Sequence, residues 1–594
     1  MKFFTKKSLS ILLAVVLILG TTAGLTAYAS PASGWNSFQS DSTNNGVINN
    51  GTPPTAASTT ATAVALPTNN PSGNVYSGVD TTSVINDGTI YTLYNGGVYD
   101  AGTGQGGARI AATTTAGGTV TNILLDPDAS NDNQLSVPYF NAGNNTLYAA
   151  TQRSSLIYST SSLSGWTTSG SASISSGGVA TFAAGTTGSV STTISLNDPV
   201  SYIYLPTNLS ISTATGSGIY SITLDSTPLV SNGSLTSYGT YDIYNGPTGA
   251  FSAGSHTLTI TVSNNTASTT INQIDFYRYD WRVYSVDYSS ATPTVTMIVG
   301  DAAPNLRFEG QPNTPINYDS AGNIYWGVYG GTHSYYQYAI GAANPLHIYT
   351  PTVTDDFYFA GAVPVTDGKQ NMIVFGSESG KVYVLDPATF TSISTSPITL
   401  PQAPGQIRST MVAPEGGEGN GYIYFTSRGT GSDAYLWSIQ ISTITSSPYT
   451  TGSAILNSNS GVSTPVISNN NFLYVGTSNY STDLFGSVQA FDPTALRKQS
   501  TYVYGDGVTT GSAVQASPIV YSIIAPPSQV RDYIYFTTNT GNGAGYCYSY
   551  NGTSPAQVWT YTNTSSNKYS VQGMAADNGY VVWGDDGNNL YLAP

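Results

Sequence analysis

Ile373-Val374-Phe375-Gly376-Ser377-Glu378-Ser379-Gly380-Lys381-Val382-Tyr383-Val384-Leu385-Asp386 is an apolar pair, a turn rich in Gly and Ser, and a second apolar stretch that ends in Asp. Short apolar runs on either side of such a turn make a β-hairpin. A further strand precedes it, marked by proline at Val363-Pro364-Val365. The unit recurs. Apolar pairs, usually with Tyr second, stand at Ile90-Tyr91, Leu147-Tyr148, Ile324-Tyr325, Ile373-Val374, Ile423-Tyr424, Leu473-Tyr474, Ile534-Tyr535 and Val581-Val582, at intervals of 57, 177, 49, 50, 50, 61 and 47 residues. Three or four short strands every ~50 residues is the signature of β-propeller blades. No segment beyond the N-terminal apolar run sustains the 3.6-residue period of a helical solenoid.

Eight copies predict an all-β, eight-bladed propeller, with seven blades as the alternative because the first copy is the least regular. The last copy stops after its third strand, at Leu590-Tyr591-Leu592-Ala593-Pro594, and would leave an open sheet edge. Ala61-Thr62-Ala63-Val64-Ala65-Leu66 is the apolar segment expected to cover it as an outer strand. The 177-residue interval becomes a standard 49 if residues 152–279 are an insertion in the second blade. Leu147 to Ala150 then continues across a hairpin into Trp281 to Asp287. The ends of a turn lie close together, so a domain can be grafted there with little strain. The expected division is a signal peptide over 1–29, propeller over 30–151 with its closing strand, the insert over 152–279, and propeller again over 280–594.

Lys2, Lys6 and Lys7 precede the apolar run Ile11 to Leu19, and Ala27-Tyr28-Ala29 offers the small residues of a signal-peptidase site. The run is short for a bilayer span. Secretion is therefore expected, with no integral membrane segment after cleavage. Charged residues make up 8% of the chain, 16 Lys and Arg against 31 Asp and Glu, where about 25% is usual. Such an acidic chain lacks the basic patch that nucleic acid or anionic lipid requires. Cys547 is the single cysteine and His256, His333 and His347 are the only histidines. That excludes an internal disulfide framework and any cysteine-cluster metal site.

The aliphatic-Tyr pair, turn and Asp-terminated strand resemble the pyrroloquinoline-quinone-type propeller repeat family. Gly376 to Asp386 and Ser487-Val488-Gln489-Ala490-Phe491-Asp492-Pro493 are the best copies, Tyr99 to Gly104 is a weaker one, and Gly34-Trp35-Asn36-Ser37-Phe38-Gln39 looks like the family's opening segment. The likeness covers residues 35–151 and 280–594. Dehydrogenases of that family hold the quinone in the central channel over calcium, with an adjacent cysteine pair, a stacking Trp and a Glu/Asn/Asp metal set. One cysteine cannot supply the pair, and Glu309, Glu378, Glu415 and Glu418 are the only glutamates. The expectation is a scaffold without the quinone. Within the insert, Gly218 to Asp225, Gly254 to Val262 and Ile274 to Tyr277 resemble the galactose-binding-like jelly roll, a β-sandwich found in many carbohydrate-binding modules.

Candidate ligand-binding residues are Tyr202 and Tyr204, which share one strand face, with Trp166 as a third ring for stacking on sugar; the competing reading puts both tyrosines in the sandwich core. Asp126, Asp128, Ser130 and Asp132 set oxygens at alternate positions, as a calcium loop does, without the mid-loop Gly and terminal Glu of an EF-hand; an ordinary polar turn competes. His256 reads as a strand residue at the sandwich edge. His333, in the Gly-rich stretch Gly330 to Tyr335, is the one histidine placed to face a channel, against a structural role. No catalytic set can be selected by spacing. The functional expectation is a secreted, non-catalytic binding or scaffold protein acting on extracellular polysaccharide or a cell-surface protein. A polysaccharide-active enzyme with a carbohydrate-binding insert is the alternative, and a quinoprotein dehydrogenase a third reading.

Overall fold

A chain with so few charges must satisfy its backbone polar groups internally, and strands do so through their neighbours. The computed structural model describes residues 34–594 apart from short stretches, the longest being 69–77, 115–120, 128–135, 197–209, 241–250, 301–308, 415–420, 524–530 and 564–572. The described residues are organised into ten β-sheets and one 3-10 turn, Ile441–Thr443. No described helix is long and apolar enough to cross a membrane.

Eight of the sheets follow the repeat. Sheet 1 centres on Thr89–Asn95 and Ala108–Thr114, sheet 2 on Thr146–Thr160 and Ile274–Asp287, sheet 3 on Ile324–Gly327 and Tyr335–Tyr338, and sheet 4 on Asn371–Gly376 and Lys381–Asp386. Sheet 5 centres on Tyr422–Ser427 and Ala434–Gln440, sheet 6 on Leu473–Ser478 and Gly486–Phe491, sheet 7 on Arg531–Thr538 and Ala544–Tyr550, and sheet 8 on Tyr580–Gly584 and Asn589–Ala593. Each central pair is an antiparallel hairpin or ribbon.

The aliphatic-Tyr pair has a physical reason. Successive side chains leave a strand on opposite faces, and here both faces are covered. Ile324 packs with Trp281 and Val283 of sheet 2, while Tyr325 packs with Ile373 and Phe375 of sheet 4. Ile423 faces sheet 4 and Tyr424 sheet 6; Leu473 faces sheet 5 and Tyr474 sheet 7. One cluster joins Tyr535 and Trp559 of sheet 7, Trp583 and Tyr591 of sheet 8, and Ile85 and Ile90 of sheet 1. Shared cores therefore run from each sheet to the next and back to the first. Tyrosine suits the second position because its ring fills the gap and its hydroxyl finds an acceptor. Tyr325 donates to Asp319 at 2.7 Å, Tyr474 to Asp532 at 2.7 Å, Tyr424 to the Pro493 carbonyl at 3.0 Å and Tyr535 to the Pro54 carbonyl at 3.1 Å.

Thr62–Ala65 pairs antiparallel with Asn589–Ala593 and covers that edge of sheet 8. Two further N-terminal strands carry no counterpart in the sequence reading. Gly34–Trp35 adds to Val84–Asn86 of sheet 1, and Val47–Asn49 runs parallel to Ile519–Ile523 of sheet 7.

The long interval is occupied by two five-stranded sheets that share one core. Val190, Ile194, Ile222, Leu258 and Ile260 from one sheet meet Ala180, Phe182 and Ile271 from the other. This unit hangs on the ribbon Thr146–Thr160 and Ile274–Asp287, paired from Thr146↔Asp287 to Thr160↔Ile274. The expected boundaries at 152 and 279 fall inside that ribbon, whose strands continue through them.

Candidate functional site

Four loops of neighbouring sheets meet around one cluster. They are the turn after Ile324–Gly327, the connection from Leu346–Tyr349 to Val363–Thr366, the turn after Asn371–Gly376, and the approach to sheet 5 around Arg408. Asp356 organises the first two. Its Oδ1 accepts from the Gly330 N–H at 2.6 Å and lies 2.7 Å from His333 Nδ1. The Asp356 carbonyl accepts from the Glu378 N–H at 2.9 Å, which draws in the third loop. Arg408 closes the group with a two-pronged bond to Glu378, Nε to Oε1 at 2.8 Å and Nη2 to Oε2 at 2.7 Å, the geometry a guanidinium fork prefers.

Aromatic rings line the same place. The Arg408 guanidinium lies 4.4 Å over the Tyr358 ring, a cation-π contact. Tyr358 meets Tyr329 edge-on at 5.0 Å and Phe359 at 4.3 Å. Phe359 is 38% exposed and holds a left-handed φ of 58°; His333, one loop away, has φ 49°. Bulky residues in that region are strained, and an exposed Phe gains nothing for the core. Burial pushes the Glu378 carboxyl up against the pull of Arg408. Burial, with the nearby Asp356 and Glu378, pushes the Tyr329 hydroxyl up as well. The arrangement offers an aromatic shelf, a fixed cation and a half-exposed His-Asp pair. Glu378 is committed to Arg408.

The residues singled out from sequence are placed as follows. Tyr202 and Tyr204 lie outside the described residues, as do Asp128, Ser130 and Asp132. Trp166 is buried to 9% exposure in the core of the two-sheet unit. Asp126 is fully buried, accepting from Thr151 Oγ1 at 2.9 Å and from Arg282 Nη1 at 3.1 Å. Its carboxylate is spent at the root of the ribbon. Among the described residues no group of three or more His, Cys, Asp and Glu side chains is placed to hold a metal. His256 is buried on its strand, with Nδ1 beside Asp225 Oδ2 at 2.5 Å and Nε2 beside the Ser252 carbonyl at 2.8 Å. His333 joins the cluster through Asp356; Asp356, Tyr358, Phe359 and Arg408 were not read from the sequence. The available signal is position alone. Glu378 follows Asn371–Gly376 as His333 follows Ile324–Gly327, each after the second strand of its sheet.

The residues present do not fit a quinone over calcium. Cys547, the only thiol, is buried between Tyr535 and the sheet 8 core, and burial pushes it up. Asn44 ties together Asn317 of sheet 3, the chain entering sheet 4 and the chain leading into sheet 5: its Nδ2 donates to Ala362 O at 2.8 Å and Met411 O at 2.9 Å, and its Oδ1 accepts from Asn317 at 2.8 Å.

No family model matches the chain, and no curated protein matches it. Solved structures similar to it include BamB from Moraxella catarrhalis, at 13% identity and TM-score 0.34 over 53% of this chain and 80% of that one. The quinohemoprotein alcohol dehydrogenase from Comamonas testosteroni is similar at 11% identity and TM-score 0.40, over 90% and 82%. A europium-containing methanol dehydrogenase is similar at 10% identity and TM-score 0.35, over 94% and 91%.

Proposed function

We propose that this is a secreted, non-catalytic binding protein: an eight-bladed propeller that carries a jelly-roll sandwich on its second blade and engages extracellular polysaccharide through the shelf formed by Tyr329, Tyr358 and Phe359. Supporting the blade reading are the eight repeat sheets and the circuit of shared cores that returns to the first. Supporting the sandwich are the alternating burial of Gly254–Ser263 and a core common to both sheets. The N-terminal charge and apolar pattern supports secretion. A single observation carries the binding reading: Phe359, large and apolar, is held exposed and left-handed beside a half-exposed His-Asp pair. Sugar faces stack on such rings while polar neighbours read their hydroxyls.

The carboxylates argue against hydrolysis. Glycosidases need one protonated and one ionised carboxyl across the bond, and Glu378 is bound on both oxygens by Arg408. No quinone is part of this reading. Calcium stays a proposal for the loop that begins at Asp126, with ligands from Asp128, Ser130 and Asp132, and Tyr202 and Tyr204 stay a proposed second stacking pair.

The test is retention of glycans and whole cells by the purified mature protein and by Phe359→Ala and Tyr358→Ala. The expected result is roughly tenfold weaker retention for each variant, about the worth of one stacking ring, with unfolding unchanged. A wild-type protein that retains no glycan, or variants that retain it equally, would overturn the reading.

A further inference from the structure

The N-terminal segment does more than extend two sheets. Between Gly34 and Asn49 it pairs with strands of sheets 1 and 7 and bonds to residues on or beside the first strands of sheets 3, 4 and 6 and to the chain leading into sheet 5. Gln39 Nε2 donates to Pro518 O at 3.1 Å, and Val520 N–H to Gly46 O at 2.8 Å, both at sheet 7. Ala413 N–H donates to Thr43 O at 3.1 Å at sheet 5. Asn44 bonds sheets 3, 4 and 5 at once. Asn45 turns to sheet 6, donating from Nδ2 to Ile467 O at 3.1 Å and accepting at Oδ1 from Ile467 N–H at 2.9 Å, between residues 422 apart in the chain. One side chain can reach three sheets only where they converge, so this segment lies at the centre of the circuit. Ser37, Gln39, Ser40, Thr43, Asn44 and Asn45 are all buried there.

The chemistry of recognition is specific. A primary amide has two donors and an acceptor, the complement of a strand edge. Asn45 answers Ile467 with the same pair of bonds that a neighbouring strand would make. Asn44 uses both N–H groups and its oxygen, and it sits at φ 58°, which Asn tolerates better than other side chains.

We infer that the centre of the circuit is a peptide-binding site for paired primary amides, and that its resident ligand is this chain's own Asn44-Asn45. The occupant is held by non-covalent contacts distributed over six sheets, so it stays in place when its covalent link to the rest of the chain is cut. The peptide site does not rest on the binding role proposed for the aromatic shelf.

The experiment places a specific protease site between residues 56 and 60 of the full chain, folds it, cuts it, and follows the N-terminal fragment by size-exclusion chromatography. Wild-type fragment is expected to co-elute with the remainder and to leave only in denaturant. In Asn44→Asp and Asn45→Asp the same-sized side chain puts a carboxylate against carbonyl oxygens, and release is expected to be at least about tenfold faster at pH 7, slowing in acid as the carboxyl is protonated. Saturating synthetic 34–49 peptide should exchange with the cut wild-type fragment, and the peptide with Asp at both positions should not. Immediate loss of the wild-type fragment from a remainder that keeps its β-sheet signal overturns the site. Equal retention of the Asn and Asp fragments overturns amide recognition. If the Asp variants fail to fold, peptide exchange into the cut wild-type protein decides alone.

Discussion

The eight-sheet circuit and the two-sheet insert draw on the same charge-poor, Tyr-rich composition and hide it in different ways. The large cores of the circuit are shared between neighbouring sheets, so Tyr474 in sheet 6 depends on Val520 and Ile534 in sheet 7, and the last sheet depends on Ile85 and Ile90 of the first. The core of the two-sheet unit, from Leu163 to Ile274, takes in the far end of the sheet 2 ribbon and no other sheet of the circuit. Cores shared between neighbours make stability collective, whereas a private core makes a unit that can open alone. The N-terminal strands sharpen the contrast. Three of them complete sheets 1, 7 and 8 of the circuit, and none joins the insert's sheets.

The largest expected effect comes from breaking the circuit. Deleting residues 30–66 removes the central segment and the strand on sheet 8, and should lower the circuit's unfolding temperature by on the order of 10 °C or more, while amide protection in the insert persists. Calorimetry with hydrogen exchange checks this, and equal losses in both regions would dissolve the distinction. Next is Phe182→Ala, which empties a fully buried site in the insert core at a cost of about 3–5 kcal/mol. The insert's transition should fall and the circuit's should hold.

A smaller effect tests the Tyr hydroxyls. Asp532 is buried, and burial pushes its carboxyl up despite bonds from Ser522, Asn470 and Tyr474. Tyr474→Phe leaves that acceptor short of a donor and should cost the circuit about 1–3 kcal/mol, read from denaturant midpoints. Tyr422→Phe, on a half-buried ring, should cost much less.

The smallest effect separates the regions by pH. Both nitrogens of His256 face acceptors, so only the doubly protonated ring satisfies both. Burial opposes that charge, the bonds to Asp225 and Ser252 outweigh it, and the folded pKa is raised. A raised histidine contributes stability that is complete below the unfolded value of about 6.5 and is lost as pH climbs through the folded value. The insert's transition should therefore fall between neutral and alkaline pH, and His256→Gln should flatten that dependence without touching the circuit.

The candidate site was legible only in fragments. His333 stood out because histidines are scarce and its loop is rich in Gly. Asp356, Tyr358, Phe359 and Arg408 did not, since they come from different loops and each looks like an ordinary turn residue beside its own strands. Trp166 drew notice as a large ring near the start of the insert, yet an apolar ring there has a core to enter, and 9% exposure is where it settles.

The period and the hairpins lie in the sequence itself, because strand and turn chemistry is local and every copy repeats it. The aliphatic-Tyr alternation is equally local in cause, being the two faces of one strand. Tertiary structure alone decided what meets at the centre and on the loop face. Asn44-Asn45-Gly46 reads as a polar turn in isolation; the edges that give its amides their partners come from residues 317, 362, 411, 467 and 520. Contacts among parts so far apart in the chain depend on how the sheets curve together, and no local pattern encodes that curvature.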